Sequence, residues 1–192
     1  NVLAVDARAH GDSEGTKIGM GWPERGDIIK RINLILSWEP NARIVLHGVS
    51  MGAATVLMAS GEDLPGNVKA VIADCGYTSE WDEFRREADA LHIPWFPVLN
   101  ATSVLSKIRD GYDFKQASAL AQVKKSRIPT LFIHGSSDEL VPYSMLGELY
   151  AAAACEKEEL TVEGAGHALS SSVAPTLYWH TVEDFIAKYL DR

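Results

Sequence analysis

Ser50 is the residue whose surroundings most clearly indicate chemistry. Residues 48–52 are Gly-Val-Ser-Met-Gly, and they join an apolar strand-like run to a helix-forming run. A serine on so sharp a turn has a strained backbone, and small neighbours at Gly48 and Gly52 would avoid a clash with it. The helix N-terminus points at the serine, so the Met51 N–H can bind a developing oxyanion. The pattern predicts a nucleophile at Ser50.

A serine hydroxyl becomes a good nucleophile only when a base takes its proton, and that base needs a third group to fix its tautomer. On an open α/β sheet the expected chain order is Ser, then Asp or Glu, then His, each after a different strand. Asp138 follows the strand-like run that ends at Gly135, and His167 lies in the Gly-Ala-Gly-His loop after the last such run. All three candidates therefore fall at carboxyl ends of parallel strands, where open α/β sheets place their sites.

Two other carboxylates compete with Asp138 for the role of the acid. Glu139 is its neighbour, and Asp74 ends the preceding strand-like run, from which some hydrolases on this scaffold take their acid. We favour Asp138 because its loop is short and Pro142 makes it rigid. Each residue alone also has a structural explanation, since the serine could occupy a turn without chemistry and the histidine could be an ordinary loop residue.

Strand and helix patterns alternate along the chain, which predicts a mostly parallel, doubly wound α/β sheet. We find no linker or repeat, and we predict one domain over residues 1–192 that is incomplete at its N-terminal side. The predicted strands cover residues 2–5, 42–47, 67–74, 128–135 and 159–162, and the predicted helices cover residues 23–38, 51–59, 143–154 and 176–190.

Residues 78–127 interrupt this alternation. They are helical in places and rich in aromatic side chains, and their length between two strands predicts a helical cap over the carboxyl edge of the sheet. An ordinary crossover helix with a long loop is the alternative. If the cap is present, its aromatic residues are candidates for an apolar substrate pocket: Trp81, Phe84, Trp95 and Phe96.

Composition excludes several classes of function. The net charge is −8 and the only basic cluster is residues 124–127, so nucleic acid is not expected as a partner and a membrane surface is an unlikely one for this segment. Cys75 and Cys155 are too few for a disulfide framework, and no histidine pair has metal-ligand spacing, so we assign no metal. The oligomeric state stays open.

Taken together, these residues resemble the α/β-hydrolase superfamily over essentially the whole chain. The elbow, the acid loop and the histidine loop occur in the expected order, and the loop after residues 2–5 is similar to the one after the family's fourth strand. The motifs are Asp6-x-Arg8-x-His10-Gly11-x-Ser13, Gly48-x-Ser50-x-Gly52, Gly135-x-x-Asp138-x-x-Val141-Pro142 and Gly164-x-Gly166-His167. The bacterial esterases related to acylaminoacyl-peptidase-type and cinnamoyl-esterase-type enzymes are the most similar branch.

The resemblance implies a serine hydrolase without a cofactor that cleaves small or medium apolar acyl esters through an acyl-enzyme. A peptidase or a thioesterase could use the same three residues, because only the pocket differs. A non-catalytic member of the fold that binds a ligand is the alternative from another class.

The resemblance also implies that a segment precedes Asn1. In the superfamily the third strand lies between the fourth and the fifth, which residues 2–5 and 44–47 resemble. We therefore expect these two runs to stand apart without ladder bonds, and the chain to be part of a larger folded protein. A second oxyanion donor would lie in the same upstream part. No targeting signal can be read, and a cytoplasmic location is favoured.

Overall fold

Four parallel strands form the centre of the protein, in a computed structural model that describes residues 1–190. The strands are hydrogen-bonded in the order β1-β2-β3-β4, which is also their order along the chain. Their bounds are β1 Ile44–Val49, β2 Val68–Asp74, β3 Thr130–Gly135 and β4 Lys157–Val162. The predicted parallel α/β architecture is confirmed.

Within the described residues, eight helices connect and cover the strands. Helices α1, α2, α5 and α6 contribute to the core on one face of the sheet, and α8 contributes to the core on the other face. Their bounds are α1 Trp22–Trp38, α2 Met51–Ser60, α3 Glu80–Ala90, α4 Trp95–Asp110, α5 Ala119–Val123, α6 Ser144–Ala152, α7 Ser170–Val173 and α8 Pro175–Leu190.

Side chains of the central strand β2 alternate between the two cores. Val71 and Ala73 pack into the core that contains α2, whereas Ala70 and Ile72 pack into the core that contains α8. A strand that is buried on both faces is typical of a parallel sheet with helices on each side. The sheet is therefore doubly wound, as the sequence predicts.

Helix α1 begins where the sequence predicts. Pro23 lies in its first turn, where the missing N–H of proline removes no helical hydrogen bond. The buried carboxylate of Glu24 accepts from the Gly19 and Gly21 N–H groups at 2.8 and 2.9 Å. These bonds fix the chain as it enters the helix, and Ile32 anchors the helix in the core at 1% exposure.

The opening segment differs from the prediction. Residues 2–5 form no strand, and Val2 is 95% exposed rather than buried. A strand needs a neighbour for its N–H and C=O groups, and this segment is held instead near its end, where Arg31 donates to the Asp6 carbonyl oxygen at 2.8 Å. The segment and β1 line the same apolar groove of about 680 Å³. Among the described strands β1 pairs with β2 alone, and no ladder joins it to residues 2–5.

Helices α3, α4 and α5 all come from the insertion between β2 and β3. Helices α3 and α4 pack on each other, whereas α5 packs against α2 and α6 and contributes Ala119 and Val123 to the main core. The Arg86 guanidinium of α3 donates to the carbonyl oxygen of Glu139 at 3.4 Å. Because Glu139 follows β3, this contact places α3 beside the carboxyl edge of the sheet.

One buried acid of α3 makes the stability of the fold depend on pH. Glu80 is 2% exposed, and its Oε2 atom has no hydrogen-bond partner within the described part of the chain. Burial raises the pKa of this carboxyl to about 8, and the charges of Glu24 and Asp110 add to the effect. Between the ordinary pKa of a glutamate and this raised value, Glu80 is therefore protonated in the folded protein and ionised in the unfolded chain.

We expect the free energy of unfolding to fall as pH rises from about 4.5 to about 8, because only the folded state must give up this proton. At about 1.4 kcal/mol per pKa unit the loss amounts to a few kcal/mol. Glu80→Gln in the intact protein should remove that part of the pH dependence, measured by denaturant unfolding at several pH values. Exposed Glu139→Gln is the control, and equal curves for wild type and Glu80→Gln would contradict the prediction.

Candidate active site

Ser50 lies on the turn between β1 and α2, as its sequence predicts. Its φ is +54°, a left-handed conformation that is strained for a residue with a side chain. The turn is held because the Ser50 N–H donates to the Asp74 carbonyl oxygen at 2.8 Å, while the Ser50 carbonyl oxygen accepts from Ala54 N–H at 3.0 Å. These bonds tie the serine to the end of β2 and to the first turn of α2.

The two glycines of the elbow have different roles. A Cβ atom at Gly48 would lie 2.2 Å from the Gly52 carbonyl oxygen, so the backbone of α2 can approach β1 only where residue 48 has no side chain. A Cβ atom at Gly52 would meet nothing within 4 Å outside its own helix turn. A small residue is needed at Gly48, as predicted, but the contact that requires it is with the backbone of residues 52 and 53 rather than with Ser50. The prediction that residue 52 must also be small is wrong.

Gly48→Ala and Gly52→Ala form a matched pair. We expect Gly48→Ala to destabilise the intact protein by several kcal/mol, since the backbone around Ser50 must move to relieve the clash. Gly52→Ala should leave the free energy of unfolding nearly unchanged or raise it, because alanine favours the helix. Thermal and denaturant unfolding would measure both, and comparable destabilisation by the two substitutions would contradict this assignment.

The structure brings Ser50, His167 and Asp138 into one chain of hydrogen bonds. The His167 Nε2 atom lies 2.7 Å from the Ser50 Oγ atom, and its Nδ1 atom lies 2.8 Å from the Asp138 Oδ2 atom. An ionised carboxylate can only accept, so we assign the imidazole proton to Nδ1. Nε2 is then free to accept the serine proton, which is the arrangement that nucleophilic catalysis needs.

Asp138 is fixed on both of its oxygen atoms. Its side chain is fully buried, and Oδ1 accepts from the Leu140 and Val141 N–H groups, each at 2.9 Å. Oδ2 is the atom that faces His167. The short loop after β3 therefore holds the carboxylate through two of its own backbone N–H groups.

The competing carboxylates are engaged elsewhere. Asp74 accepts from the Ser170 hydroxyl at 3.2 Å and is hydrogen-bonded to Tyr178. Burial raises the pKa of Asp74, although these two hydrogen bonds partly oppose the shift. Glu139 is exposed and touches α3 through its carbonyl oxygen. The hydrogen bonds thus follow the expected order, with Asp138 as the partner of His167.

Met51 is the first residue of α2, directly after Ser50. The first N–H groups of a helix have no acceptor within the helix, and the positive end of the helix dipole lies there. This position agrees with the role predicted for the Met51 N–H. That the group binds an oxyanion stays a prediction.

The four cap aromatics make their ring contacts with other residues of the insertion. Phe84 packs against Phe114 with ring centroids 4.9 Å apart, and the Lys115 Nζ atom lies 4.4 Å from the centre of the Trp81 ring. Trp95 contacts Phe96, which is 66% exposed. Their role in a substrate pocket stays a prediction, and exposure makes Phe96 the weakest candidate of the four.

Sequence analysis missed Cys75, which lies beside the candidate triad. This residue is fully buried with a φ of +49°, and its sulfur lies within 4.8 Å of ligand atoms of Asp138 and His167. Burial raises the pKa of the thiol to about 12, and the charge of Asp74 adds to the shift. The thiol therefore stays protonated at neutral pH. The signal available in the sequence was its position directly after Asp74, at the carboxyl end of β2.

The chain matches a known protein family and several relatives. The model of the prolyl oligopeptidase family matches residues 36–192. YqkD of Bacillus subtilis is 32% identical over 97% of this chain and 62% of its own length. The α/β hydrolase domain-containing protein WAV2 of Arabidopsis thaliana is 29% identical over 98% of this chain and 61% of its own length. The chain thus spans about three fifths of these relatives.

Solved structures show the same fold. The Pyrococcus furiosus esterase Pf2001 superposes with a TM-score of 0.74 and 21% identity, over 96% of this chain and 69% of that one. The Pyrococcus horikoshii acylaminoacyl peptidase superposes with a TM-score of 0.68 and 19% identity, over 89% of this chain and 28% of that one.

The parallel sheet with helices on both faces is a fold of the α/β-hydrolase type. The chain belongs to the prolyl oligopeptidase family. In residues 1–190, none of the helices combines the length and the apolar character that crossing a bilayer requires.

Proposed function

We propose that the protein is a serine hydrolase in which Ser50, His167 and Asp138 form the catalytic triad. The observation that carries the proposal is the unbroken chain of hydrogen bonds from the Ser50 hydroxyl through His167 to Asp138, at 2.7 and 2.8 Å. Four features that occur together in such enzymes support it: the strained serine, the helix behind it, the buried acid and the family of the chain.

In this mechanism Ser50 Oγ attacks the substrate carbonyl carbon while His167 Nε2 accepts the hydroxyl proton. The Met51 N–H donates to the oxyanion that forms, and Asp138 stabilises the protonated imidazole. His167 then gives the proton to the leaving group, which departs and leaves an acyl-enzyme. A water molecule, deprotonated by His167, attacks the acyl carbon and releases the acid, which restores Ser50.

The proposed substrates are esters of small or medium apolar acyl groups. The aromatic residues of α3 and α4 support this choice, as they could provide an apolar surface beside the carboxyl edge. A peptidase is the main alternative on the same triad, and a thioesterase is a third possibility. Similarity to proteins named as esterase and acylaminoacyl peptidase supports both ester and peptide substrates. With a net charge of −8, we propose no nucleic-acid partner.

Labelling by a fluorophosphonate probe tests the proposal, because the probe reacts with an activated serine. We expect the intact protein to be labelled and Ser50→Ala to be unlabelled. A parallel screen of p-nitrophenyl esters of graded acyl length and of aminoacyl anilides would separate esterase from peptidase. A folded wild-type protein that is not labelled would contradict the proposal and favour a non-catalytic, ligand-binding member of the fold.

A further inference from the structure

His134 is a second histidine at Asp138, and the mechanism above gives it no role. It is the fifth residue of β3, and it is 1% exposed. Its Nε2 atom lies 3.3 Å from Asp138 Oδ2, the same oxygen that accepts from His167 Nδ1 at 2.8 Å. Two imidazole rings therefore meet at one oxygen of the acid.

The proton on His134 can be assigned from its neighbours. The Nε2 atom lies 2.9 Å from the Val141 carbonyl oxygen and 3.3 Å from the carboxylate, and both of these atoms can only accept. Nε2 therefore carries a proton and donates it to Val141. Asp74 also interacts electrostatically with this ring, and the Tyr143 ring packs edge-on with centroids 6.0 Å apart.

These contacts close a ring through the acid loop. His134 Nε2–H donates to the Val141 carbonyl oxygen, and the Val141 N–H donates to Asp138 Oδ1. The other carboxylate oxygen, Asp138 Oδ2, lies 3.3 Å from His134 Nε2. The backbone N–H groups hold only Oδ1, and the terminal torsion of an aspartate is otherwise broad. The His134 N–H supplies a second constraint, because its positive edge attracts Oδ2 across 3.3 Å while His167 Nδ1 holds the same atom at 2.8 Å.

We propose that His134 is a positioning residue for the hydrolytic reaction, which keeps the Asp138 carboxylate aligned with His167 through the Val141 loop. The inference rests on the proposed function. Misplacing a catalytic group by about 1 Å can cost about 100-fold in rate, so a change at His134 should act on kcat even though His134 never touches the substrate. Binding of the substrate should change little.

Two amide substitutions separate positioning from packing. The Gln side chain can place an N–H close to the position of His134 Nε2, whereas the Asn side chain is one methylene shorter and cannot reach Val141 or Asp138 equally well. We expect His134→Asn in the intact protein to lower kcat about 10- to 100-fold with KM within about threefold. His134→Gln should recover most of that loss. Exposed His180→Asn on α8 is the matched control and should behave as wild type.

Each kcat is divided by the concentration of sites titrated with the fluorophosphonate probe, so a loss of folded protein is not counted as a loss of rate. The low-field proton resonance of His167 Nδ1–H is recorded as a second readout, and it should shift or broaden in His134→Asn but persist in His134→Gln. An unchanged kcat and resonance in His134→Asn, or equal kcat losses in both variants, would overturn the inference while leaving the triad intact. A wild type that does not react with the probe would instead remove the proposed function itself.

Discussion

Ser50→Ala and His167→Ala are each expected to lower kcat of the intact protein by about 10⁴- to 10⁶-fold, with a double variant scarcely slower than either. The reason is that the hydroxyl and the imidazole act as one unit across the 2.7 Å hydrogen bond. Without the base, the serine is a weak nucleophile, and without the serine the base has no covalent step to assist. Steady-state kinetics on the best ester of the screen would measure the three variants.

Controls come from residues of the same type outside the site. Ser172→Ala on α7 and His180→Ala on α8 replace exposed side chains, and both should keep kcat within about twofold. Substantial turnover by Ser50→Ala would show that another group carries the reaction. Multiplicative losses in the double variant would show that Ser50 and His167 act independently, contrary to a shared proton transfer.

The sheet could be predicted from the sequence because local patterns and tertiary contacts agree. Each of the runs around β1, β2, β3 and β4 is apolar or alternating and is bounded by turn residues, and each became a strand with ends shifted by a few residues. The candidate triad followed from topology rather than from side-chain contacts. Parallel strands bring their carboxyl ends to one edge, so residues distant in sequence meet there. This is why His167 and Ser50 could be paired across the whole chain.

Other features depend on contacts that a sequence pattern does not contain. The run over residues 2–5 is as apolar as β2, but its side chains are exposed because no described strand lies against it. The role predicted for Gly52 was wrong because the tight contact is made by the backbone of α2, which packs against Gly48. The residue types do favour a strand over residues 2–5 and a turn at Gly52. The contacts with neighbouring residues determine whether the strand forms and which glycine is required.

The side chains around Asp138 also could not be predicted from the sequence pattern alone. His134 and Cys75 each lie at the carboxyl end of a strand, so the rule that selected Asp138 and His167 also applies to them. Sequence alone does not say which side of the strand their side chains take. The structure decides it, since the His134 ring reaches the Val141 carbonyl oxygen and the Cys75 sulfur lies close to His167.

Asp138→Asn is expected to lower kcat by about 10³- to 10⁴-fold without unfolding the protein. The Leu140 and Val141 N–H groups both face Oδ1, so the amide oxygen must take that position and the NH₂ group must point at His167. An NH₂ group donates, which forces Nδ1 to accept and places the imidazole proton on Nε2. A protonated Nε2 cannot accept the Ser50 proton, so the geometry is kept while the base is lost.

Asp74→Asn is the matched comparison, because Asp74 is as deeply buried and ends the neighbouring strand. Its partners Ser170 and Tyr178 can hydrogen-bond to an amide oxygen, and burial already raises the pKa of this carboxyl. Removing its charge should therefore change kcat by less than about tenfold. The ratio of kcat for the two variants, each measured per mole of protein shown to be folded by circular dichroism, identifies the acid. A larger loss of kcat in Asp74→Asn than in Asp138→Asn would assign the role of the acid to Asp74 at the end of β2. His167 would then depend on the charge of Asp74, to which it makes no hydrogen bond in this structure.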